Sequence, residues 1–418
     1  MLAPTAARRR AAMSTEPEPE EETPGAADNV TEAPPPPGFA RRALLRRLMD
    51  VVALPASRGS VQDRAIAGDL LLEMLIESDE AARELCARRL RDMSQAPKRL
   101  LRFLALDAPQ VAQIVLADNK AFDDSDLAHV VAHGATPHRL AVAGRRELGH
   151  AVSSAIADSG DVAAMKVLLE NTQAKLSEHA IDVMIGASRK APELVPLLCQ
   201  REETRPAHAL VMFWWASAEE RRHILTRFSA DRALLIDGCA DIFRYAADES
   251  WADPVVRKAM QVIERRQRDR TALDRSGHDS LEAAITAAAA MGMDNALMAE
   301  ISHLSGIKPL TGEKIFADVG GEGVAVLCKA TGLKRHFFRE LWISLGRTPE
   351  EADADFARVS LTFEGLAVAK AQTVLRYWNW SMSSAFSPEM LEDYEAYLDG
   401  DAISPDGESH SGVRAFGR

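Results

Sequence analysis

The stretches that decide the fold are two copies of one pattern in the second half of the chain. Residues 283–306 are AAITAAAAMGMDNALMAEISHLSG, and residues 323–346 are GVAVLCKATGLKRHFFRELWISLG. When the two copies are aligned end to end, Gly292 falls on Gly332 and Gly306 falls on Gly346. Glycine suits a helix end because it accepts the left-handed backbone conformation. Each copy therefore predicts a helix, a glycine, a second helix and a second glycine.

The remainder of the chain follows the same plan of short amphipathic helices opened by a turn residue or a proline. Thr136-Pro137 opens one such helix, and Ala-Pro pairs at 96–97, 108–109 and 191–192 open three more. Proline is favoured at the first helical position because no hydrogen bond is lost there. Strand-like alternation of apolar and polar residues is absent from the sequence. We therefore predict an all-α fold, a HEAT-like α-solenoid of stacked helix pairs, since a period of about 40 residues is typical of two-helix repeats.

Composition agrees with a helical, reduced protein. The 418 residues are 47% hydrophobic but only 6% aromatic, whereas strands favour aromatic and β-branched side chains. The four cysteines are far apart and form no Cys-x-x-Cys pair: Cys86, Cys199, Cys239 and Cys328. This spacing predicts neither a disulfide framework nor a zinc site made of cysteines, and we expect mostly buried thiols.

The net charge of −12 is concentrated at the two ends of the chain. Residues 1–40 hold three basic and seven acidic side chains, and residues 349–418 hold five and thirteen. The body, residues 41–348, has 42 of each and is electrically neutral. Global charge therefore does not decide whether the partner is a nucleic acid or a protein.

No run of 18 or more apolar residues exists, so a membrane span is excluded. Arg8 to Arg10 are followed by a Pro and Glu run instead of the apolar region of a signal peptide, which favours a cytoplasmic location. The segment Phe39 to Leu54 places leucines on one helical face and arginines on another. Peripheral membrane contact is the alternative for this helix, but the first helix of a stacked array has the same pattern, and we expect the latter.

Shifts in composition predict five segments. Residues 1–38 are rich in Pro and Glu and are expected to be a disordered tail, because they cannot bury enough apolar surface. Residues 39–232 form an N-terminal helical-repeat region poor in aromatic residues, and 233–274 are connecting helices. Residues 275–382 form a C-terminal helical-repeat region that contains the internal repeat and has a core of Trp and Phe. Residues 383–418 are expected to form an acidic helix, opened by Ser387-Pro388, and a flexible tail.

The stretch GGEGVAVLCKATGL, residues 320–333, together with the repeats before it, resembles an alphaproteobacterial helical-repeat family known as domain of unknown function 2336. The resemblance covers about residues 40–380. The matching residues are packing and helix-end positions, and the resemblance implies a helical-repeat fold without a known activity.

One pair of histidines has the spacing of a metal site, but its position in the helix does not favour metal binding. His129 and His133 have the spacing of two metal ligands, with Asp126 or His138 as further candidates. Leu127, Val130 and Val131 form the buried stripe of that helix, which predicts that both histidines lie on a solvated face.

Gly320-Gly321-Glu322-Gly323 resembles a phosphate-binding loop but lacks the Lys-Ser or Lys-Thr that follows in a P-loop, so we predict a glycine-rich turn. A Gly-x-Ser-x-Gly elbow is also absent from the sequence. The sequence therefore assigns no catalytic residue, no cofactor and no metal ligand.

Basic side chains occur in clusters on two early helices. Arg88 and Arg89 lie in one predicted helix, and Lys98 and Arg99 lie in the next. If stacking placed them on one concave face, that face would follow a phosphate backbone. Acidic residues such as Glu80, Glu84 and Asp92 are interleaved with them, which favours a solvated, ion-paired surface instead.

The sequence thus predicts a non-enzymatic protein-binding scaffold or regulator that acts through the surface of an α-solenoid and holds a protein partner not identified by the sequence. Repeat arrays present long curved surfaces that suit such partners. The alternative is a HEAT-like repeat protein that binds nucleic acid through Arg88, Arg89, Lys98 and Arg99 on the concave face.

Overall fold

The computed structural model of the protein describes residues 38–54, 58–242, 270–350 and 353–381, together with residues 259 and 263. All regular structure within these residues is helical, which confirms the predicted all-α fold. The α-helices described are, in chain order, α1 (Phe39–Val52), α2 (Val61–Ile76), α3 (Glu80–Leu90), α4 (Lys98–Ala105), α5 (Pro109–Leu116), α6 (Asp124–His133), α7 (Thr136–Ala143), α8 (His150–Asp158), α9 (Val162–Glu170), α10 (Glu178–Ala187), α11 (Leu194–Gln200), α12 (Pro206–Met212), α13 (Ala218–Arg227), α14 (Arg232–Gly238), α15 (Leu281–Met291), α16 (Asn295–Leu304), α17 (Pro309–Ala317), α18 (Glu322–Ala330), α19 (Arg335–Ser344), α20 (Ala354–Gly365) and α21 (Val368–Ser381). A 3₁₀ helix, Arg270–Arg275, precedes α15.

The chain divides into two compact units, residues 1–47 and residues 48–418. The described part of the first unit is the start of α1, and helices α2 to α21 lie wholly within the second unit. The predicted tails and most of the predicted connecting helices fall outside the described residues. The five predicted segments stay a prediction.

Helices α2 to α13 are stacked in two rows. Each even-numbered helix from α2 to α10 packs against the next even-numbered helix, and each odd-numbered helix from α3 to α11 packs against the next odd-numbered one. The two helices of a pair, such as α4 with α5 and α6 with α7, also pack against each other. The predicted arrangement of stacked helix pairs is confirmed.

Successive helix pairs of this array are separated by fewer residues than the two sequence copies of the second half. Helices α4, α6, α8, α10 and α12 begin at residues 98, 124, 150, 178 and 206, whereas the aligned glycines of the two copies are residues 292 and 332. Helices α4 to α13 contain only seven to ten residues each. So few apolar positions mark each helix that the sequence pattern alone does not show this shorter period.

Several helices begin at the predicted prolines or at side-chain caps, whereas Pro97 is the N-cap of α4 and α11 begins at Leu194, two residues after Pro192. At α2 the Asp63 amide donates to Ser60 Oγ (3.1 Å) and the Ser60 amide donates to Asp63 Oδ2 (3.0 Å), which satisfies two backbone donors reciprocally. Proline stands in the first turn of α5, α7, α12 and α17. These local signals stabilise the helix starts through contacts within a few residues of chain.

A row of polar side chains ties each odd-numbered helix to the one before it, and we call this row the polar ladder. Its five members lie at or just after the ends of α5, α7, α9, α11 and α13: Asn119, Arg145, Asn171, Arg201 and Arg227. Each donates to backbone carbonyls at or just after the end of the preceding odd-numbered helix: Asn119 to Leu90, Arg145 to Leu116 and Asn119, Asn171 to Ala143 and Arg145, Arg201 to Asn171 and Ala174, and Arg227 to Cys199. The last carbonyls of a helix have no intrahelical donor and carry its negative dipole end, so amide and guanidinium donors stabilise them.

Arg145 is deeply enclosed in the polar ladder. Burial lowers the pKa of its guanidinium from the ordinary value, and the nearby carboxylate of Asp118 offsets only part of this effect. One nitrogen donates to the Leu116 carbonyl, and another donates to the Asn119 carbonyl at 2.9 Å. Its neighbour Arg146 is 82% exposed and lies 4.0 Å from Asp118. Two adjacent arginines therefore lie in opposite environments.

The two sequence copies correspond to α15 with α16 and to α18 with α19. Gly306 and Gly332 both have φ of +72°, which confirms the predicted left-handed helix ends. The amide of Ile307 donates to the Ser302 carbonyl and that of Leu333 donates to the Cys328 carbonyl, each at 3.0 Å, so the residue after the glycine closes the last turn.

The second half has an aromatic core, as predicted. The side chains of Phe338 and Trp342 in α19 are at most 2% exposed. Phe338 stacks on Phe356 and on Phe363 of α20, with ring centroids 5.6 and 5.3 Å apart. These rings fill the space between α19 and α20.

The last described helix runs back to the array. Helix α21 packs on α18 and also contacts α12 and α14. Buried Trp378 in α21 donates its indole N–H to the Leu210 carbonyl (3.0 Å). This hydrogen bond joins the end of the described helices to the middle of the chain.

The polar ladder predicts a difference between Arg145 and Arg146. Arg145→Met keeps apolar volume but leaves two buried carbonyls without a donor, so we expect the free energy of unfolding to fall by about 2–4 kcal/mol. Arg146→Met should change it by less than about 0.5 kcal/mol, because the side chain is exposed. Chemical denaturation followed by far-ultraviolet circular dichroism measures both. Equal effects of the two substitutions would contradict a stabilising role of the polar ladder.

Candidate functional site

The four basic residues predicted to contact nucleic acid are all paired with carboxylates. The pairs are Arg88 with Glu84, Arg89 with Asp50, Lys98 with Asp123 and Asp126, and Arg99 with Asp69. Their side chains are between 38% and 75% exposed, and ion pairs of this kind contribute little to stability. A phosphate would have to compete with carboxylates already in place. The nucleic-acid contact stays a prediction.

His129 and His133 lie on the exposed side of α6, while Leu127, Val130 and Val131 are buried, which confirms the predicted solvated face. The two rings are 4.1 Å apart between centroids. Asp126, considered as an additional ligand, instead accepts a hydrogen bond from Arg102. Among the described residues, His, Cys, Asp and Glu side chains form no group of three suited to a metal ion.

His138, the other candidate ligand, points into the array. It is 6% exposed, and its Nε2 lies 2.8 Å from the Asp107 carbonyl. Because a carbonyl oxygen only accepts, this nitrogen must carry the proton. The interaction joins α7 to the turn after α4 and serves packing.

Gly320 and Gly321 lie in the turn between α17 and α18, as predicted, whereas Glu322 and Gly323 are already the first residues of α18. A methyl group at Gly320 would overlap the guanidinium of Arg221, and Gly321 has φ of +81° with the Trp342 ring packed against its α-carbon. Both positions therefore require glycine. The Gly321 amide donates to Asp318 Oδ2 (3.0 Å), so a carboxylate of the protein occupies the position that a phosphate would take in a nucleotide-binding loop.

This turn is the centre of a buried ionic network that we call the arginine cluster: Arg221, Arg347, Arg358, Asp318 and Glu322. Arg221 Nη1 contacts Asp318 Oδ1 at 2.7 Å and Glu322 Oε2 at 3.1 Å. Arg358 Nε contacts Glu322 Oε1 at 2.7 Å, and Arg347 donates to the Asp318 carbonyl at 2.6 Å. Arg221, Asp318 and Glu322 are each less than 9% exposed. Buried carboxylates in such a place need their cationic partners, since an unpaired buried charge is strongly unfavourable.

The arginine cluster positions the turn between α12 and α13. Arg221 Nε donates to the Ala216 carbonyl (3.0 Å) and Nη2 lies 3.4 Å from the Trp214 carbonyl. The same guanidinium is bound to Asp318, the residue directly after α17. One arginine thus fixes two elements that are far apart in the sequence.

These two elements, together with Arg189 just after α10, form a surface that we call the tryptophan face: Arg189, Trp214, Trp215 and Lys314. Both tryptophans are half-buried. The Lys314 ammonium lies 4.9 Å from the centre of the Trp214 ring, and the Arg189 guanidinium lies 5.8 Å from that of Trp215. Each ring is therefore covered by a cation.

Both tryptophan rings of the tryptophan face also contact buried side chains. The Trp215 indole donates to Ser188 Oγ (2.9 Å), and the centroid of the Trp214 ring lies 4.7 Å from that of buried Trp378. A hydrogen bond and a ring contact thus restrict the side chains that carry the exposed aromatic surface.

The two cations of the tryptophan face disfavour each other. Burial, and secondarily the positive charge of Arg189, lowers the pKa of Lys314 from 10.5 to about 8. An anion brought to this face would be attracted by both charges and would favour the protonated form of Lys314. The chemistry of the face suits an acidic group attached to apolar or aromatic surface.

A cavity of about 440 Å³ lies along α16 and the segment before α15. The Ser276 hydroxyl donates to the Glu300 carboxylate, and His278 Nδ1 lies 3.0 Å from the same oxygen. A serine nucleophile is activated by a hydrogen bond to a general base such as imidazole, whereas here a carboxylate takes both contacts. The arrangement is typical of a loop fastened to a helix.

Fold and site together define an all-α protein of stacked helix pairs whose two halves are joined by a buried ionic network. The sequence belongs to the family described as an uncharacterised protein conserved in bacteria, domain of unknown function 2336, which matches residues 111–376. The resemblance inferred from residues 320–333 is thereby confirmed, and its restriction to alphaproteobacteria stays a prediction. The chain matches no curated protein and no solved structure.

The matched span includes every residue of the arginine cluster and of the tryptophan face. Arg88, Arg89, Lys98 and Arg99 lie before it. Helices long and apolar enough to cross a bilayer do not occur in the described parts of the chain.

Arg221→Ala tests the arginine cluster. It leaves Asp318 and Glu322 with one cationic partner fewer in a buried site, so we expect the free energy of unfolding to fall by about 3–5 kcal/mol. The adjacent Arg222 is exposed, and Arg222→Ala is the matched control, with an expected change below about 0.5 kcal/mol. Denaturant titration of both variants gives the two values.

A second substitution shows whether the loss comes from the stranded charge. In the Arg221→Ala background, Asp318→Asn removes one carboxylate that has lost its partner and should restore part of the stability. If the two changes are simply additive, Arg221 and Asp318 are not coupled and the arginine cluster is not a network of interdependent charges.

Proposed function

We propose that the protein is a non-enzymatic binding scaffold and that its tryptophan face holds an acidic, apolar segment of a protein partner. The observation that carries this proposal is the pair of half-buried, firmly held tryptophans beneath two cations, Arg189 and Lys314. Tryptophan and arginine are among the residues most enriched where binding energy concentrates in protein interfaces.

Rigidity favours binding at this face. Trp214 rests on buried Trp378, and Trp215 is held through Ser188, so little side-chain freedom is lost when a partner docks. The ammonium of Lys314 and the guanidinium of Arg189 give the face its preference for carboxylates. An acidic segment with apolar side chains complements both properties.

The face also lies within the part of the chain that the family match covers, whereas the four basic residues proposed for nucleic acid precede that part. Those four side chains already pair with carboxylates, and the tryptophan face adds aromatic surface to its charge. These differences favour a protein partner over a nucleic acid.

Affinity capture from a bacterial lysate tests the proposal, with the full-length protein as bait. Arg189→Glu combined with Lys314→Glu reverses the charge of the face and should lower recovery of specific partners by about tenfold or more. Lys166→Glu combined with Lys175→Glu makes the same charge change on exposed residues elsewhere and should leave recovery unchanged. Quantitative mass spectrometry measures the recovered proteins.

Nuclease treatment and two salt concentrations separate the alternatives. Binding to phosphates through several basic side chains falls by orders of magnitude between about 50 and 200 mM salt, because counterions are released. Partners held by an apolar interface should survive both treatments. Loss of all partners on nuclease treatment, together with loss on replacing Arg88, Arg89, Lys98 and Arg99 by Ala, would overturn the proposal in favour of nucleic acid.

A further inference from the structure

The last described helix ends beside the tryptophan face. Near the end of α21, the Asn379 side-chain oxygen accepts a hydrogen bond from the Lys308 amide (2.7 Å) and lies 3.2 Å from the Thr311 hydroxyl. Lys308 and Thr311 flank the start of α17, the helix that carries Lys314. Asn379 therefore lies about one to two helical turns, or roughly 5–9 Å along α17, from Lys314, and α21 ends two residues later at Ser381.

The exposed surface of α17 from Lys308 to Lys314 combines an apolar side chain with positive charge. Leu310 is 47% exposed and lies four residues before Lys314, so both occupy one side of the helix. Lys308 is exposed at the helix start, and Arg189 faces Lys314 from the neighbouring array. Glu313 is the exposed acidic residue of α17 next to this strip. The charged side chains named here, Lys308, Lys314, Arg189 and Glu313, together carry a net positive charge.

The chain itself supplies a segment with the complementary chemistry. Residues 387–398, SPEMLEDYEAYL, contain four carboxylates and no basic side chain. The apolar residues recur at helical spacing, so the sequence predicts an acidic amphipathic helix opened by Ser387-Pro388 with one side made of Met390, Leu391, Tyr394 and Leu398. Glu389 lies eight residue steps after Ser381, the last residue of α21, and an extended chain of that length reaches about 26 Å. The segment can therefore reach the tryptophan face of its own molecule.

We propose that the acidic segment 387–398 docks on the tryptophan face and the adjoining strip of α17, and so occupies in the same chain the surface that a partner would use. This inference rests on the proposed function, since both involve one face. The carboxylates of the segment would meet Lys308, Lys314 and Arg189, and its apolar side would meet Leu310 and Trp214. A tethered segment has an effective concentration in the millimolar range, so a partner must displace it to bind.

Zero-length carbodiimide coupling tests the docking in the purified full-length protein. The reagent joins a carboxylate to an amine as an amide, with loss of water, only when the two groups are in contact. We expect amides from Lys308 or Lys314 to the carboxylates of the segment, which are Glu389, Glu392, Asp393 and Glu395. Their yield, measured by peptide mass spectrometry, should be at least five times that of amides from the same carboxylates to the exposed control lysines Lys166 and Lys175.

Isotope mixing decides which chain supplies the segment. In a mixture of ¹⁴N- and ¹⁵N-labelled protein, docking within one chain gives cross-links with a single isotope composition. Cross-links of mixed composition would show that the segment docks on a second copy and would overturn the proposal. Equal yields at the control lysines, or none at Lys308 and Lys314, would overturn it as well.

The accessibility of Lys314 gives an independent measurement without cross-linking. Replacing the four carboxylates by amides, Glu389→Gln, Glu392→Gln, Asp393→Asn and Glu395→Gln, should raise the acylation rate of Lys314 at pH 8 at least threefold, because the docked segment shields it. The matched control changes four later acids, Asp399→Asn, Asp401→Asn, Asp406→Asn and Glu408→Gln, and should leave the rate unchanged. Equal rates in both variants would contradict docking.

Neither measurement contains a partner, so the two proposals fail separately. Cross-links at Lys314 without any captured protein would contradict the scaffold function and leave the docking intact. Captured partners without cross-links would contradict the docking and leave the scaffold function intact.

Discussion

The contact on which the rest of the structure depends is the buried guanidinium of Arg221 between Asp318 and Glu322. It lies at the junction of the helical array with the C-terminal half and is hydrogen-bonded to both. Buried ion pairs are weak sources of net stability, because desolvation offsets much of their attraction. They instead make alternative conformations unfavourable. Any conformation that moves Arg221 away would leave two buried carboxylates without this cationic partner. This ionic contact, together with the packing of α21 on α12 and α14, therefore fixes how the two halves meet.

The glycine turn makes that contact possible. Arg221 approaches Gly320 so closely that a methyl group there would overlap its guanidinium, and Gly321 adopts a left-handed conformation against the Trp342 ring. A stretch that resembles a phosphate-binding loop in sequence is thus occupied by the protein's own charges. The tryptophan face follows from the same contact, since Arg221 holds the turn bearing Trp214 while Asp318 ends the helix bearing Lys314.

Much of the local structure can be predicted from the sequence because short-range chemistry determines it. Ser60 with Asp63 specifies a helix start, and Gly306 and Gly332 specify helix ends within a few residues of chain. The all-α fold and the stacked pairs follow from such signals. The polar ladder and the arginine cluster could not be predicted, because Arg145 and Arg221 find their partners through tertiary approach. Arg221 and Asp318 are 97 residues apart, and no spacing rule distinguishes Arg221 from exposed Arg222. The adjacent Trp214 and Trp215, which follow a helix that begins with Pro206, are the sign of the tryptophan face in the sequence.

Hydrogen exchange of the Arg221→Ala variant, resolved by peptide, tests most directly whether this contact holds the face together. We predict that residues 206–217 and 309–317 both exchange at least about tenfold faster than in the unchanged protein, while α4 to α9 keep their protection. Both segments should respond because one guanidinium fixes them. Faster exchange confined to α13, with residues 309–317 unchanged, would contradict the positioning of the tryptophan face by Arg221.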